Sequence, residues 1–221
     1  MQKPRVPKSL QEPLQEQITE VAMMVKATRI DAGRFGVVVA EATERGLAMS
    51  TVEGFSVSIG PAVIAPGSTL RKEGITITPI GPDELLALTK GRLKGSPGPF
   101  DPAELSAKAA EAIRDFLLGD MKAWERIRSL PVDEGALGKG FTGRVLTLLR
   151  DLPPGRYISY GDMAIAAGSP RASRAVGAAM ASNPLLIVVP CHRVFGAGGR
   201  FTGFGGGLGL KAALAGIEQR N

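Results

Sequence analysis

Residues that end helices recur at short intervals in the second half of this 221-residue chain, so only short helices fit there. The stretch 141–152 (FTGRVLTLLRDL) repeats apolar residues at helical spacing and is ended by the prolines and glycine of 153–155. Ser159 and Asp162 have the spacing of a capping box, which predicts that a second helix begins there. Gly168 is the expected end of this helix.

A third helix is predicted over residues 171–182, with Ser169 as its N-cap. Two short helices joined by a tight glycine turn match a helix-turn-helix. The third helix has almost no large side chains, which permits close approach either to a neighbouring helix or to a DNA groove. Plain helical packing is therefore the alternative. The apolar run LLIVV (185–189) is predicted to be a buried strand that leads into Cys191.

The first half of the chain predicts a mixed α/β (α+β) fold without reactive residues. The expected elements are a helix over 14–27, strands over 35–40, 47–52, 55–59 and 75–80, and a helix that begins at Asp101 and ends before Gly119. The glycine-rich stretch 131–140 is the expected linker, because the charge balance changes there. This divides the chain into a domain over 1–130, the linker over 131–140 and a domain over 141–221.

Positive charge is concentrated in the C-terminal part. Residues 136–221 carry ten Lys or Arg and three Asp or Glu, a net charge of +7. Residues 1–135 carry 17 Lys or Arg and 18 Asp or Glu, a net charge of −1. A basic region beside a neutral one indicates a polyanionic partner, nucleic acid first, with a solvated basic surface as the alternative. We see no secretory signal at the start of the chain and no apolar run of about 20 residues, and a single cysteine cannot form an internal disulfide. We therefore expect a cytoplasmic protein without a membrane partner.

Cys191 and His192 are the only cysteine and the only histidine, and they are adjacent in VPCHRV. They are too few for a zinc site, so no metal is expected. In an extended segment their side chains would point to opposite faces, and a water or a sharp turn would have to connect them. We expect His192 and Arg193 to lower the pKa of the thiol and expose a nucleophilic thiolate. An inert buried cysteine is the alternative.

With these residues in view, the C-terminal part resembles the O6-alkylguanine-DNA alkyltransferases. The resemblance rests on PCHRV, the SYG of 159–161, RAVGAAM, the NP of 183–184 and the GGL of 206–208, and it extends over residues 141–218. It implies an RNase H-like N-terminal α/β domain, a winged helix-turn-helix C-terminal domain, a monomer and no cofactor. The implied partner is double-stranded DNA that carries O6-alkylguanine, with O4-alkylthymine as a further candidate. In a eukaryote the implied location is the nucleus.

The resemblance also implies a reaction in which each molecule acts once. Cys191 would take the alkyl group from a flipped guanine, and His192, acting through a water and oriented by Glu218, would remove the thiol proton. Tyr160 would assist protonation of the leaving guanine. Asn183 would hold the turn that positions the reactive segment.

DNA contacts and a base pocket follow from the same resemblance. Arg174 would fill the gap left by the flipped base, and small residues would let its helix enter the minor groove. The residues expected to contact DNA are Thr142, Tyr160, Gly161, Ser169, Arg174, Gly177, Ala178 and Ala179. Those expected to form the base pocket are Met180, Val194, Phe204, Gly205 and Gly206. Carbonyl groups of Cys191 and Val194 would read the guanine amino group, and the backbone of Gly205 would lie near O6.

Two features depart from the family pattern. Phe204 stands where most relatives have a tyrosine, so a stacking ring is kept and a hydroxyl is lost. Some relatives bind a structural zinc through N-terminal Cys and His, which residues 1–135 lack. A non-catalytic lesion binder or a helix-turn-helix regulator is the first alternative function, although alkyltransferase-like proteins have tryptophan at the position of Cys191. A redox-sensing thiol is the second alternative.

Overall fold

The computed structural model describes residues 25–54, 68–90 and 99–219. Its strands are β1 (Lys26–Asp31), β2 (Val37–Thr43), β3 (Gly46–Glu53), β4 (Thr78–Pro79), β5 (Arg156–Ser159) and β6 (Val194–Phe195). Its α-helices are α1 (Pro82–Thr89), α2 (Pro102–Leu117), α3 (Ala123–Ser129), α4 (Gly140–Leu149), α5 (Tyr160–Ala166), α6 (Ser173–Ala181) and α7 (Gly207–Glu218).

The first three strands form an antiparallel sheet in chain order, and α2 packs across it. The Asp101 carboxylate caps α2 by accepting hydrogen bonds from the backbone N–H groups of Ala103 at 2.9 Å and Glu104 at 3.4 Å. The helix ends before Gly119, whose φ of +101° is easily adopted only by glycine. The predicted strand pair over 35–40 and 47–52 and the helix beginning at Asp101 are therefore confirmed. The first strand begins later than predicted, at Val37, because Phe35 ends a 3₁₀ turn, and it continues to Thr43. We call β1–β3 with α2 and α3 the N-terminal unit.

The stretch predicted as a linker begins in contact with β3. Leu47 donates its N–H to the carbonyl oxygen of Pro131 at 2.8 Å, and Asp133 donates to the carbonyl of Leu47 at 3.0 Å. At Gly46 a Cβ atom would stand 2.7 Å from the backbone of Val132, and the φ of Gly46 is +135°. Only glycine therefore lets the two segments approach this closely.

Residues 140–219, which we call the C-terminal unit, contain α4–α7 with β5 and β6. Helices α5 and α6 pack on each other across a tight turn, and α6 also packs on α4. β5 lies between β4 and β6 in a small parallel sheet, so the segment 68–90 contributes a strand to this unit. One continuous apolar core joins the two units. The fold is mixed α/β, with an N-terminal sheet and a C-terminal helical domain, as predicted.

Several predicted elements differ from the structure. The predicted helix over 14–27 lies outside the described residues up to 24, and its end is wrong because Lys26 begins β1. The predicted strand 55–59 lies wholly outside them. Within 75–80 only Thr78–Pro79 pairs as a strand. Ser169 is not an N-cap, because the turn continues to Ala172 before α6 begins.

The segment 185–189 is also not a strand. It is a buried turn in which Val189 donates its N–H back to the carbonyl of Leu185 at 2.8 Å. The apolar composition predicted its burial, which is confirmed, but not its curvature. In the described part of the chain, no helix is both long and apolar enough to cross a bilayer.

Candidate active site

The turn 185–189 delivers the chain into a short 3₁₀ turn, Cys191–Arg193. Ile187 has a φ of +74°, which is unfavourable for a β-branched residue and marks a backbone held by its surroundings. The Asn183 side chain provides that hold, since it accepts from the N–H of Leu185 at 3.0 Å and donates to the carbonyl of Val189 at 2.9 Å. The backbone at Cys191 and His192 is therefore not extended but follows the sharp turn that the sequence left open as an alternative.

The thiol of Cys191 is 5% exposed and lies beside the Asn183 side chain. Asn183 Nδ2 donates to Cys191 Sγ at 3.2 Å. Burial raises the pKa of the Cys191 thiol, and the hydrogen bond from Asn183 and the charge of Lys211 only partly oppose that rise. The expectation that neighbouring charges give a net decrease in this pKa is wrong, because desolvation outweighs them. At neutral pH the group is therefore a protonated thiol.

His192 and Glu218 form a fully buried pair. His192 Nε2 lies 2.8 Å from Glu218 Oε1. Burial alone raises the pKa of Glu218, but Arg193 and His192 outweigh it and lower that pKa to about 2. An ionised carboxylate only accepts hydrogen bonds, so Nε2 carries the proton. Burial lowers the pKa of His192, which keeps the imidazole neutral.

Two buried cations complete the site, and sequence reasoning gave neither of them a structural role there. Arg193 Nε donates to Glu218 Oε1 at 2.9 Å. Lys211 Nζ donates to the carbonyl oxygen of Val194 at 2.6 Å, and burial lowers its pKa to about 8. Lys211 stands seven residues before Glu218 in an otherwise apolar helix, a spacing that puts both on one face of α7 and could have indicated a buried lysine.

Cys191 borders a cavity of about 450 Å³. The residues that line it are Tyr160, Ser173, Gly177, Met180, Ala181, Cys191, Thr202, Gly203, Phe204 and Gly205. Of these, Ser173, Ala181, Thr202 and Gly203 were not predicted; the glycine-rich run 196–207 was the one signal for the last two. The volume is in the range of small-molecule pockets.

Tyr160 presents its hydroxyl at the wall of this cavity. Thr202 Oγ1 donates to Tyr160 Oη at 3.1 Å. Burial raises the pKa of Tyr160, and the charge of Cys191 raises it further against the opposing bond from Thr202. Tyr160 therefore keeps its proton at neutral pH and has it available to donate.

The predicted DNA-contacting residues do not all lie on one surface. Arg174 and Ala178 are exposed on α6, while Gly177 on the same helix lines the cavity. Ala179 is fully buried on the opposite side of α6, so the expectation that it contacts DNA is wrong. Half-buried positions near helix starts are Thr142 in α4 and Gly161 in α5; Ser169 is half-buried too, but lies in the turn between α5 and α6.

The predicted base-pocket residues are also divided. Met180, Phe204 and Gly205 line the cavity. Val194 is fully buried and its carbonyl is bound by Lys211, and Gly206 is exposed beside the lining residues. Among the residues of 25–54, 68–90 and 99–219, no group of three or more His, Cys, Asp or Glu side chains could hold a metal ion.

Comparison with known proteins agrees with this arrangement. Residues 140–220 match the family model "6-O-methylguanine DNA methyltransferase, DNA binding domain". The methylated-DNA–protein-cysteine methyltransferase of Mycolicibacterium paratuberculosis is 40% identical over 115 residues, which are 52% of this chain and 66% of the relative. The inducible methylated-DNA–protein-cysteine methyltransferase of Bacillus subtilis is 38% identical over 138 residues, 62% of this chain and 73% of the relative.

The solved structures add the N-terminal region to the match. A Mycobacterium tuberculosis OGT crystallised in complex with DNA has a TM-score of 0.55 and 26% identity, covering 88% of this chain and 93% of that one. The alignments to the first curated relatives span about two thirds of their length. A helix-turn-helix beside a buried thiol, together with the matched DNA-binding domain, defines the class as a DNA-binding protein. The chain belongs to the 6-O-methylguanine DNA methyltransferase family.

Proposed function

We propose that this protein repairs DNA by moving the alkyl group of O6-alkylguanine irreversibly to the sulfur of Cys191, once per molecule. The observation that carries the proposal is the position of the only thiol in the chain, which borders a nucleobase-sized cavity and precedes a neutral histidine bound to a carboxylate. The names of the relatives support the same activity. O4-alkylthymine is a second candidate substrate.

The proton path begins at the thiol. His192 Nδ1 is buried and has no hydrogen-bond partner among the described side chains and backbone groups, so it is the ring nitrogen able to accept a proton, through a bridging water. Because the pKa of Cys191 is raised and that of His192 is lowered, the proton leaves as sulfur attacks rather than beforehand. Glu218 holds the ring in the required tautomer and stabilises the charge it gains.

The bonds exchanged are a new C–S bond and the broken C–O6 bond. Tyr160, kept protonated by burial, gives its proton to the guanine as O6 departs, and the proton taken by His192 later restores it. The net result replaces the alkyl group on guanine with the thiol proton. A thioether is not displaced by ordinary thiols, so one molecule performs one transfer.

Base recognition is assigned to groups around the cavity. Phe204 supplies the ring against which a flipped purine stacks, and Met180 closes the pocket beside it. The carbonyls of Cys191 and Val194 read the guanine amino group. The Val194 carbonyl already accepts from Lys211 and keeps one lone pair for this purpose.

DNA binding is assigned to the C-terminal unit. Arg174 lies exposed on the first turn of α6, on the helix whose Gly177 lines the cavity, so it can occupy the space of an extruded base while the base enters the pocket. The proposal is for a monomer acting where DNA is kept, the cytoplasm of a prokaryote or the nucleus of a eukaryote. The division into domains over 1–130 and 141–221 belongs to the same proposal.

Intact-mass spectrometry tests the proposal. After mixing with duplex DNA that contains O6-methylguanine, the protein should gain about 14 Da, one methylene, on the peptide that carries Cys191. Cys191→Ser should gain nothing while it still binds the duplex. No adduct on the unaltered protein would favour a non-catalytic lesion binder. A mass change that forms without DNA and is reversed by a thiol reductant would favour a redox sensor.

A further inference from the structure

Arg193 connects the carboxylate of Glu218 to the N-terminal unit. Its guanidinium is fully buried and lies with Nη2 2.8 Å from Glu218 Oε1, in addition to the hydrogen bond from Nε. Nη1 donates to the carbonyl oxygen of Leu152. The guanidinium carbon lies 4.2 Å from the ring centre of Trp124 in α3 and 5.9 Å from that of Phe116 in α2.

Hydrogen bonds to both oxygens fix the orientation of the Glu218 carboxylate. Oε1 accepts hydrogen bonds from His192 Nε2 and Arg193 Nε, and Oε2 accepts one from the N–H of Gly155 at 3.2 Å. The carboxylate that orients His192 is therefore itself oriented by Arg193. These hydrogen bonds lie in the plane of the guanidinium, and Trp124, which is 4% exposed, covers one of its faces.

We propose that Arg193 is a positioning residue of the proton relay and that Trp124 of the N-terminal unit holds it in place through a cation–π contact. The N-terminal unit, which contains no cysteine or histidine, then takes part in catalysis through the ring of Trp124. A buried, desolvated cation over a tryptophan face is the strongest form of this contact. The inference rests on the proposed alkyl transfer for its kinetic test but not for its spectroscopic one.

Trp124 is the only tryptophan in the chain, so its electronic character can be changed without mutation. Biosynthetic replacement by mono-, di- and trifluorotryptophan weakens the negative face of the ring stepwise and leaves its shape nearly constant. We expect the single-turnover rate with free O6-benzylguanine to fall with each fluorine, to a total of about three- to tenfold. Free base is the substrate of choice because it removes DNA binding and base flipping from the measurement.

His192 is the only histidine, so its ring nitrogens give an unambiguous NMR signal. In the unaltered protein Nε2 should carry the proton and Nδ1 should not. Along the fluorinated series the two nitrogen shifts should move towards each other as Glu218 loses its fixed orientation. Trp124→Leu should show the largest change of all. Ile127→Ala, a cavity-forming change at a fully buried residue on the same helix, should lower the melting temperature and leave the His192 signals unchanged.

Rates and nitrogen shifts that stay constant along the fluorinated series would overturn the inference, as would equal changes in Trp124→Leu and Ile127→Ala. If Trp124→Leu does not fold, the fluorinated series alone decides. A protein that transfers no alkyl group in any form but shows the graded shifts would refute the proposed function and leave the positioning role of Arg193 supported. Normal alkyl transfer with constant nitrogen shifts would support the proposed function and refute the positioning role of Arg193.

Discussion

The two units bury apolar side chains in one shared core, but they differ in the polar groups they bury. In the N-terminal unit the buried polar residues are Ser50 and Ser106, whose hydroxyls have partners at 2.8 Å. In the C-terminal unit they are Asp151, His192, Arg193, Lys211 and Glu218. Burying an ion costs several kcal/mol even when it is paired, so a cluster of buried ions is more typical of a functional site than of a purely stabilising core. The buried ions therefore lie in the same unit as Cys191.

The same comparison refines the charge argument. Of the ten cations and three anions in residues 136–221, Arg193, Lys211, Asp151 and Glu218 are buried and cancel in sign. The net charge of +7 therefore comes from the remaining side chains, among them the exposed Arg171 and Arg174. Three of these buried charges, Arg193, Lys211 and Glu218, lie at the site, whereas Asp151 is paired with Arg128. The exposed charge is available to a polyanion.

The largest expected effect follows from removing a buried charge. Glu218→Gln should lower the free energy of unfolding by about 3–5 kcal/mol, because Arg193 is left buried without its anion. Ser106→Ala, which removes a buried hydroxyl of the N-terminal unit, should cost about 0.5–1.5 kcal/mol. Chemical denaturation of both variants measures the two values, and equal costs would contradict the distinction between the units.

The pH dependence gives this prediction a second readout. A Glu218 pKa lowered to about 2 means that the ionised carboxylate stabilises the fold above its unfolded pKa of 4.5 and that this stability is lost as pH falls from there towards 2. Burial of neutral His192 adds a loss that begins below 6.5 as the unfolded imidazole gains a proton. Glu218→Gln should therefore lose less stability than the unaltered protein between pH 5 and about 2. A parallel decline in both would mean that another group controls the acid limb.

The second prediction separates recognition from chemistry within the C-terminal unit. Arg174→Ala should slow repair of duplex DNA by at least about tenfold, equivalent to 1.4 kcal/mol, because unstacking a base costs a few kcal/mol that the arginine offsets. Reaction with free O6-benzylguanine should stay near its normal rate, since a free base needs no extrusion. Paired single-turnover kinetics measure the two rates.

Two further measurements guard the interpretation of Arg174→Ala. A mismatched partner strand should partly restore the rate, because less pairing energy opposes flipping. Thermal melting should show an intact fold, as expected for an exposed side chain. Equal slowing on duplex and free base would instead assign Arg174 to bracing its helix.

Some elements were predicted well because residues within one short stretch of sequence determine where they begin and end. The helix α2 has its cap at Asp101, its proline next to it and its stop at Gly119 within one stretch of sequence. The turn 185–189 was expected only from the family role of Asn183, because its curvature depends on β3 as well as on that side chain. Ser50 donates its N–H to the carbonyl of Pro184 at 3.0 Å and accepts from the N–H of Leu186 at 2.9 Å. An apolar run is equally compatible with a strand.

The site shows the same division. Cys191 and His192 were named from the PCHRV motif and Glu218 from the family resemblance. In the structure His192 and Glu218 are 2.8 Å apart and Cys191 borders the cavity. Lys211 was missed because a helical lysine is exposed in most proteins, and its partner, the Val194 carbonyl, lies 17 residues away. The pKa of Cys191 was predicted in the wrong direction because sequence shows the neighbouring charges but not the desolvation.

The smallest expected effect concerns the exposed charges of the two units. Affinity of the full chain for undamaged duplex DNA should fall steeply with salt, because each neutralised phosphate releases counterions. Arg171→Ala, at an exposed site in the turn between α5 and α6, should make the slope of log K against log salt shallower by about 0.9, the value of one phosphate contact. Lys122→Ala, at an exposed site that precedes α3 in the N-terminal unit, should leave the slope unchanged. Fluorescence anisotropy across a salt series measures all three slopes, and a change of the same size in both variants would show that DNA contacts both units rather than the C-terminal one alone.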